Sequence, residues 1–112
     1  MCTELSIGEL ARRSGTTVTA LRFYEQQGLV TARRNPGNQR RYPPWTVHRV
    51  GMILAARAAG ESLESIRGLL QSLPDGRPPT PAEWATIVAE LRSTVNARIT
   101  QLRRLREEFT AL

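Results

Sequence analysis

Gly15 and Gly28 punctuate the first thirty residues, and the two short helices they leave constrain the rest of the chain. Ser6 is followed three residues later by Glu9, the capping-box pattern, so a helix is expected over 7–13. Ser14-Gly15 breaks it. Thr16 or Thr17 caps a second helix over 18–27, which Gly28 stops, with Leu29 supplying the apolar contact that follows a glycine cap. Two short helices joined by a turn of about three or four residues that contains Gly form a helix-turn-helix. The stretch after it, Arg33-Arg34-Asn35-Pro36-Gly37-Asn38-Gln39-Arg40-Arg41-Tyr42, carries a turn at Pro36-Gly37-Asn38 with paired arginines on both arms. A basic hairpin in that position reads as a wing, adding phosphate contacts that set affinity and register.

Within the first helix Ile7, Leu10 and Ala11 share the buried face, and Arg12 and Arg13 lie at its end, where a cation suits the helix dipole and reaches a phosphate. In the second, Val18 and Leu21 should pack inward with Leu29 and Val30. Thr17, Thr19, Ala20 and Arg22 are left for a groove, because the start of the second helix meets base edges. Tyr24 has two equal readings, a hydroxyl on a phosphate or a half-buried packing residue.

Charge supports a polyanion partner. All 16 basic residues are Arg against 10 acids, a net charge of +6. Between Glu25 and Glu61 there is no acid, while Arg33, Arg34, Arg40, Arg41, Arg49 and Arg57 fall in that gap. Charge alone fits a solvated loop equally well. Arg49 and Arg57 are expected to reach solvent or phosphate. At 112 residues the chain suits one small domain rather than a large enzyme core. It has no paired carboxylates, nucleophile–base pair or metal-ligand set, and His48 and Cys2 stand alone, so an enzyme is not expected and no metal site is assigned. One cysteine excludes an intrachain disulfide and agrees with a reducing cytoplasm. The N-terminus does not read as a signal peptide, and no apolar run is long enough to span a membrane.

Pro44 suits the first turn of a third helix over 45–59, with Val47, Val50, Ile53 and Ala56 inward. Ser62 caps a fourth, with Leu63, Ile66, Leu69 and Leu70 inward. Residues 73–81, with four prolines and Asp75-Gly76, read as a linker. In 82–112 the residues Trp84, Val88, Leu91, Val95, Ile99, Leu102, Leu105, Phe109 and Leu112 recur at three- and four-residue spacings, a coiled-coil seam. A rod of roughly 45 Å outreaches so small a domain, so the seam is expected to pair with a second copy rather than fold back. Three segments follow: 1–72, a winged helix-turn-helix domain with a helical pair; 73–81, a linker; 82–112, the dimerisation helix. The fold class is mainly α.

Ile7-Gly8-Glu9-Leu10-Ala11, Gly15, Leu21-Arg22-Phe23-Tyr24-Glu25, Gly28-Leu29 and Arg40-Arg41-Tyr42, continued by Gly60, Ser62-Leu63 and Ile66, together resemble the MerR family of transcription regulators over nearly the whole chain. The wing, Arg33, Asn35 and Gly37-Asn38-Gln39-Arg40-Arg41-Tyr42, and the connection Leu73-Pro74-Asp75-Gly76 to Glu83-Trp84 resemble the SoxR branch. The resemblance implies an antiparallel coiled-coil homodimer. It implies binding to a palindromic promoter whose overlong spacer is distorted and untwisted, so that RNA polymerase meets both its elements in phase. The deformation energy would be offset by contacts. It points to Thr17, Thr19, Arg22, Tyr24, Asn38, Arg40 and Arg41 on DNA; Arg13, Arg33 and Tyr42 complete the candidate interface.

One departure stands out. The SoxR branch carries a [2Fe–2S] cluster on four cysteines directly after the long helix, a ligand set this chain cannot supply. Either a cysteine-bearing tail follows Leu112 or the protein is a cluster-less relative, and the second is expected; Trp84 then reads as a packing residue. Two other functions compete with a regulator: an architectural or excisionase-like DNA-bending protein without a sensory role, and a coiled-coil interaction module with a vestigial helix-turn-helix.

Overall fold

The computed structural model describes residues 4–112, and Cys2 lies outside them. The element order is α1 (Ile7–Ser14), α2 (Val18–Gln26), β1 (Arg33–Arg34), β2 (Arg40–Arg41), α3 (Thr46–Ala58), α4 (Leu63–Leu70) and α5 (Pro81–Ala111). The fold is mainly helical, with one small hairpin.

Each start has a local cause. Ser6 Oγ accepts from Glu9 N at 3.2 Å while Glu9 Oε1 accepts from Ser6 N at 3.3 Å, so the capping box at α1 is complete. Of the two threonine candidates for α2, Thr17 is the cap: its Oγ1 accepts from Ala20 N at 3.0 Å. The end of α2 is a Schellman turn. Gly28 sits at φ +75°, Gly28 N donates to Glu25 O and Leu29 N donates to Tyr24 O at 2.9 Å. That turn delivers Leu29 and Val30 into the core at 0% and 2% exposure.

α1 packs against both α2 and α3, and α3 packs against α4. Leu10, Leu21, Leu29, Val50, Ile53, Ile66 and Leu70 form the centre of this core. α3 begins later than expected. Pro43 and Pro44 offer no N–H, and the first turn is wound by Thr46, Val47 and His48 amides donating three residues back, to Pro43, Pro44 and Trp45 carbonyls. The hairpin pairs Arg33 with Arg41 and Arg34 with Arg40 in antiparallel register. Tyr42 then bridges to Leu5, with Leu5 N donating to Tyr42 O at 2.7 Å and Tyr42 N to Leu5 O at 2.9 Å.

The chain divides into two compact units, one running to Pro78 and one covering Pro79–Leu112. The proline-rich stretch is shorter than expected at both ends. Leu73 is buried and its amide donates to Leu70 O at 3.0 Å. Pro81 is not linker but the first residue of α5, where a missing N–H costs nothing. Thr80 and Glu83 form a second capping box there, a Thr-Pro-Ala-Glu signal hidden by the neighbouring prolines.

Along α5, Trp84 and Leu91 are half-buried, while Val88, Val95, Ile99, Leu102, Leu105, Phe109 and Leu112 are exposed. Ile87, which the heptad-like reading passed over, is buried. No helix among the described residues is long and apolar enough to cross a membrane.

Candidate nucleic-acid interface

The helical period leaves Thr19, Arg22, Phe23 and Gln26 exposed on α2, at the i, i+3, i+4 and i+7 positions of one face, while Leu21 and Tyr24 are buried. Thr17 is exposed too, although its oxygen already serves the helix N-terminus. Phe23, at 41% exposure, is the large apolar residue of that face, and its ring meets Tyr24 at 5.9 Å between centroids. Neither Phe23 nor Gln26 was singled out from sequence; the arc of Arg22 extended by one turn finds both.

The wing lies beside this face. Arg22, Glu25 and Gln26 line a shallow depression together with Arg40 of β2. Arg40 Nη1 donates to Glu25 Oε2 at 2.9 Å, and Tyr42 Oη donates to the same oxygen at 3.4 Å. One carboxylate therefore fastens the hairpin to α2. Burial pushes the Tyr42 phenol above its ordinary value, and the Glu25 charge adds to the rise while Arg40 opposes it.

The wing turn closes on itself. Asn35 Oδ1 accepts from Gln39 N at 2.9 Å, Asn38 N donates to Asn35 O at 2.8 Å, and Asn38 takes the left-handed conformation at φ +61°. Arg34 Nη1 donates to Asn38 O at 2.9 Å. The register sets arginine opposite arginine in both pairs, and like charges directly opposite destabilise a hairpin. Glu25 relieves one of the four guanidinium groups, and Glu4, 3.9 Å from Arg33, weakly relieves another. Arg33 also lies 5.4 Å over the Trp45 ring and donates to Gly76 O at 3.3 Å.

The expected site residues separate by exposure. Arg13, Thr17, Thr19, Arg22, Arg33, Asn38 and Arg40 are exposed, and Arg41 is half-exposed. One correction concerns a tyrosine. Tyr42 is fully buried, so its ring belongs to the core and its hydroxyl to Glu25; it is not available to a phosphate. The Tyr24 ring is buried too, while its hydroxyl has no hydrogen-bond partner among the described residues and is not a buried unpartnered oxygen, so it still meets solvent.

A second correction is Arg49. Its side chain is 16% exposed; Nε donates to Leu29 O at 2.8 Å and Nη1 pairs with Asp75 at 3.4 Å. Burial lowers its pKa, with Asp75 opposing. It serves the turn that follows α2 rather than a phosphate, whereas Arg57 is exposed.

Residues 5–73 match the family model described as MerR HTH family regulatory protein, and residues 47–112 match that described as MerR, DNA binding. This chain belongs to the MerR family. As a MerR-family member it is a DNA-binding transcription regulator. An HTH-type transcriptional activator SoxR homolog from Chromobacterium violaceum is 40% identical over 105 residues, covering 94% of this chain and 71% of that protein. The HTH-type transcriptional regulator ZntR of Escherichia coli is 36% identical over 107 residues, 95% of this chain and 76% of that protein. Among solved MerR-type structures, PbrR691 from Ralstonia metallidurans CH34 in complex with lead(II) superposes with a TM-score of 0.58 at 30% identity, over 96% of this chain and 84% of that one. HiNmlR, a MerR family regulator lacking the sensor domain and bound to promoter DNA, shares the fold with a TM-score of 0.67 at 19% identity, over 97% and 86%.

Proposed function

We propose that this MerR-family chain acts in the cytoplasm as a SoxR-like homodimer. It would bind a palindromic promoter operator and distort and untwist the duplex, so that RNA polymerase initiates there. The observation that carries the DNA-facing part is the wing: arginines opposed in both cross-strand pairs, beside the exposed face of α2. Phosphates are the counter-charge such a hairpin lacks. Arg40 spends one N–H on Glu25 and keeps others for a phosphate. Thr19 and Arg22 suit base edges, and Phe23 suits a thymine methyl. The exposed apolar stripe of α5 from Val88 to Leu112 supports pairing with a second copy.

A [2Fe–2S] cluster of the four-cysteine kind takes four thiolates, and residues 1–112 hold one cysteine, so the residues present do not fit it. Cluster sensing would require a cysteine-bearing segment after Leu112, which metal and sulfide analysis of natively purified protein would detect.

Two measurements test the function. Duplex affinity should fall steeply with added salt, and each of Arg40→Ala and Arg41→Ala should reduce that salt slope by about one. Thr19→Ala and Arg22→Ala should instead change which bases are preferred. Transcription in vitro with purified polymerase then separates a regulator from an architectural DNA-bending protein: unchanged output on every bound promoter would favour the latter.

A further inference from the structure

The C-cap of α2 and the turn that follows it are held by two guanidinium groups from the helical pair. Arg67 of α4 donates through Nε and Nη2 to Gln27 O, at 3.2 and 2.7 Å. Arg49 of α3 donates through Nε to Leu29 O at 2.8 Å. Arg67 is well placed at the C-cap, the negative end of the helix dipole. The two groups differ in one respect. Arg49 also pairs through Nη1 with Asp75 at 3.4 Å. Asp75 lies in the segment between α4 and Thr80, the residue that caps α5. One guanidinium group thus joins Leu29, in the turn that leaves the base-facing helix, to the segment of chain that feeds α5.

We propose that Arg49 is a positioning residue for DNA reading, and that Asp75 is the group that aims it. With Asp75 in place the guanidinium plane is fixed by two partners and holds Leu29 O, and so the pitch of α2 against the wing. With Asp75 displaced, Arg49 keeps one partner and the end of α2 loosens. A rearrangement in the segment ahead of α5 would then reach the base-facing residues through a single side chain. This inference rests on the DNA-binding reading.

The Asp75 side chain is 69% exposed, so Asp75→Asn removes the charge without threatening the fold. The probes are two duplexes of equal length: the one the wild-type chain enriches most from a randomised pool, and a scrambled version of it. Affinities are read by fluorescence anisotropy at one salt concentration. Asp75→Asn is expected to lower the enriched-to-scrambled affinity ratio about threefold, the scale of a partly exposed ion pair. Arg49→Lys, which cannot serve both partners in one plane, is expected to do the same. In the Arg49→Lys background, Asp75→Asn should add nothing further.

General electrostatics makes the opposite prediction, since losing an acid should tighten binding to both duplexes equally. That result, an unchanged ratio, or effects that multiply in the double variant would overturn the proposal. A wild-type chain that enriches no duplex would instead remove the DNA-binding reading itself.

Discussion

At the scale of single residues, Glu25 and Tyr42 show how tightly the interface is tied to the core. Tyr42 sits among apolar groups with its hydroxyl on a carboxylate, so its phenol ionises above 10.0 in the folded chain. Below that pH both folded and unfolded chains keep the proton and the hydroxyl's contribution is intact. Above it the unfolded chain ionises first, so stability falls as pH climbs towards the raised folded value. Urea midpoints taken from about pH 9 to about pH 11 should fall in the wild type and fall less in Tyr42→Phe. Burial of Tyr42 was not legible in the sequence, because an Arg-Arg-Tyr run after a turn looks uniformly outward. The partners of Tyr42 in the fold, Leu5 along the backbone and Glu25 at the hydroxyl, are both remote in sequence. Thr17 carries a related lesson. Its hydroxyl oxygen caps α2, so Thr17→Ala should cost about 1 kcal/mol of stability as well as any DNA contact, whereas Thr19→Ala leaves the cap intact. Thermal melts of the two variants would separate the effects.

At the scale of elements, starts and stops are chemical events, and those with a side-chain signal were readable. Ser6 with Glu9, Ser62 before α4, and Gly28 after α2 mark boundaries through groups within a few residues of one another. Where proline runs intervene, the signal was masked: α3 starts after Pro43-Pro44, and α5 absorbs Pro81. The α5 cap makes a clean test. Thr80→Ala should cost about 1 kcal/mol, visible as a lower melting temperature with helix content otherwise kept. Acid should probe α1. The Ser6 backbone amide and hydroxyl hold the Glu9 carboxyl below its ordinary value of 4.5, so its stabilising bond is present above that pH and is lost as pH falls through the lower folded value. Glu9→Gln, which removes the titrating carboxyl, should flatten that acid dependence.

At the scale of the molecule, the three- and four-residue spacing in α5 was legible, but not which flank of the stripe is covered. Periodicity defines a face, but Ile87 is buried beside an exposed Val88, a difference that spacing alone does not carry. The apolar residues exposed from Val95 to Phe109 are the expected seam between copies. Val95→Glu should shift the protein towards monomer in light scattering, and the wild-type melting temperature should rise with protein concentration. Leu5 is stitched to Tyr42 where the wing ends, and Glu4 lies near Arg33 at 3.9 Å. A purification tag fused ahead of these residues would therefore emerge beside the wing and crowd the face offered to DNA, so a handle for pull-down experiments belongs at the other terminus.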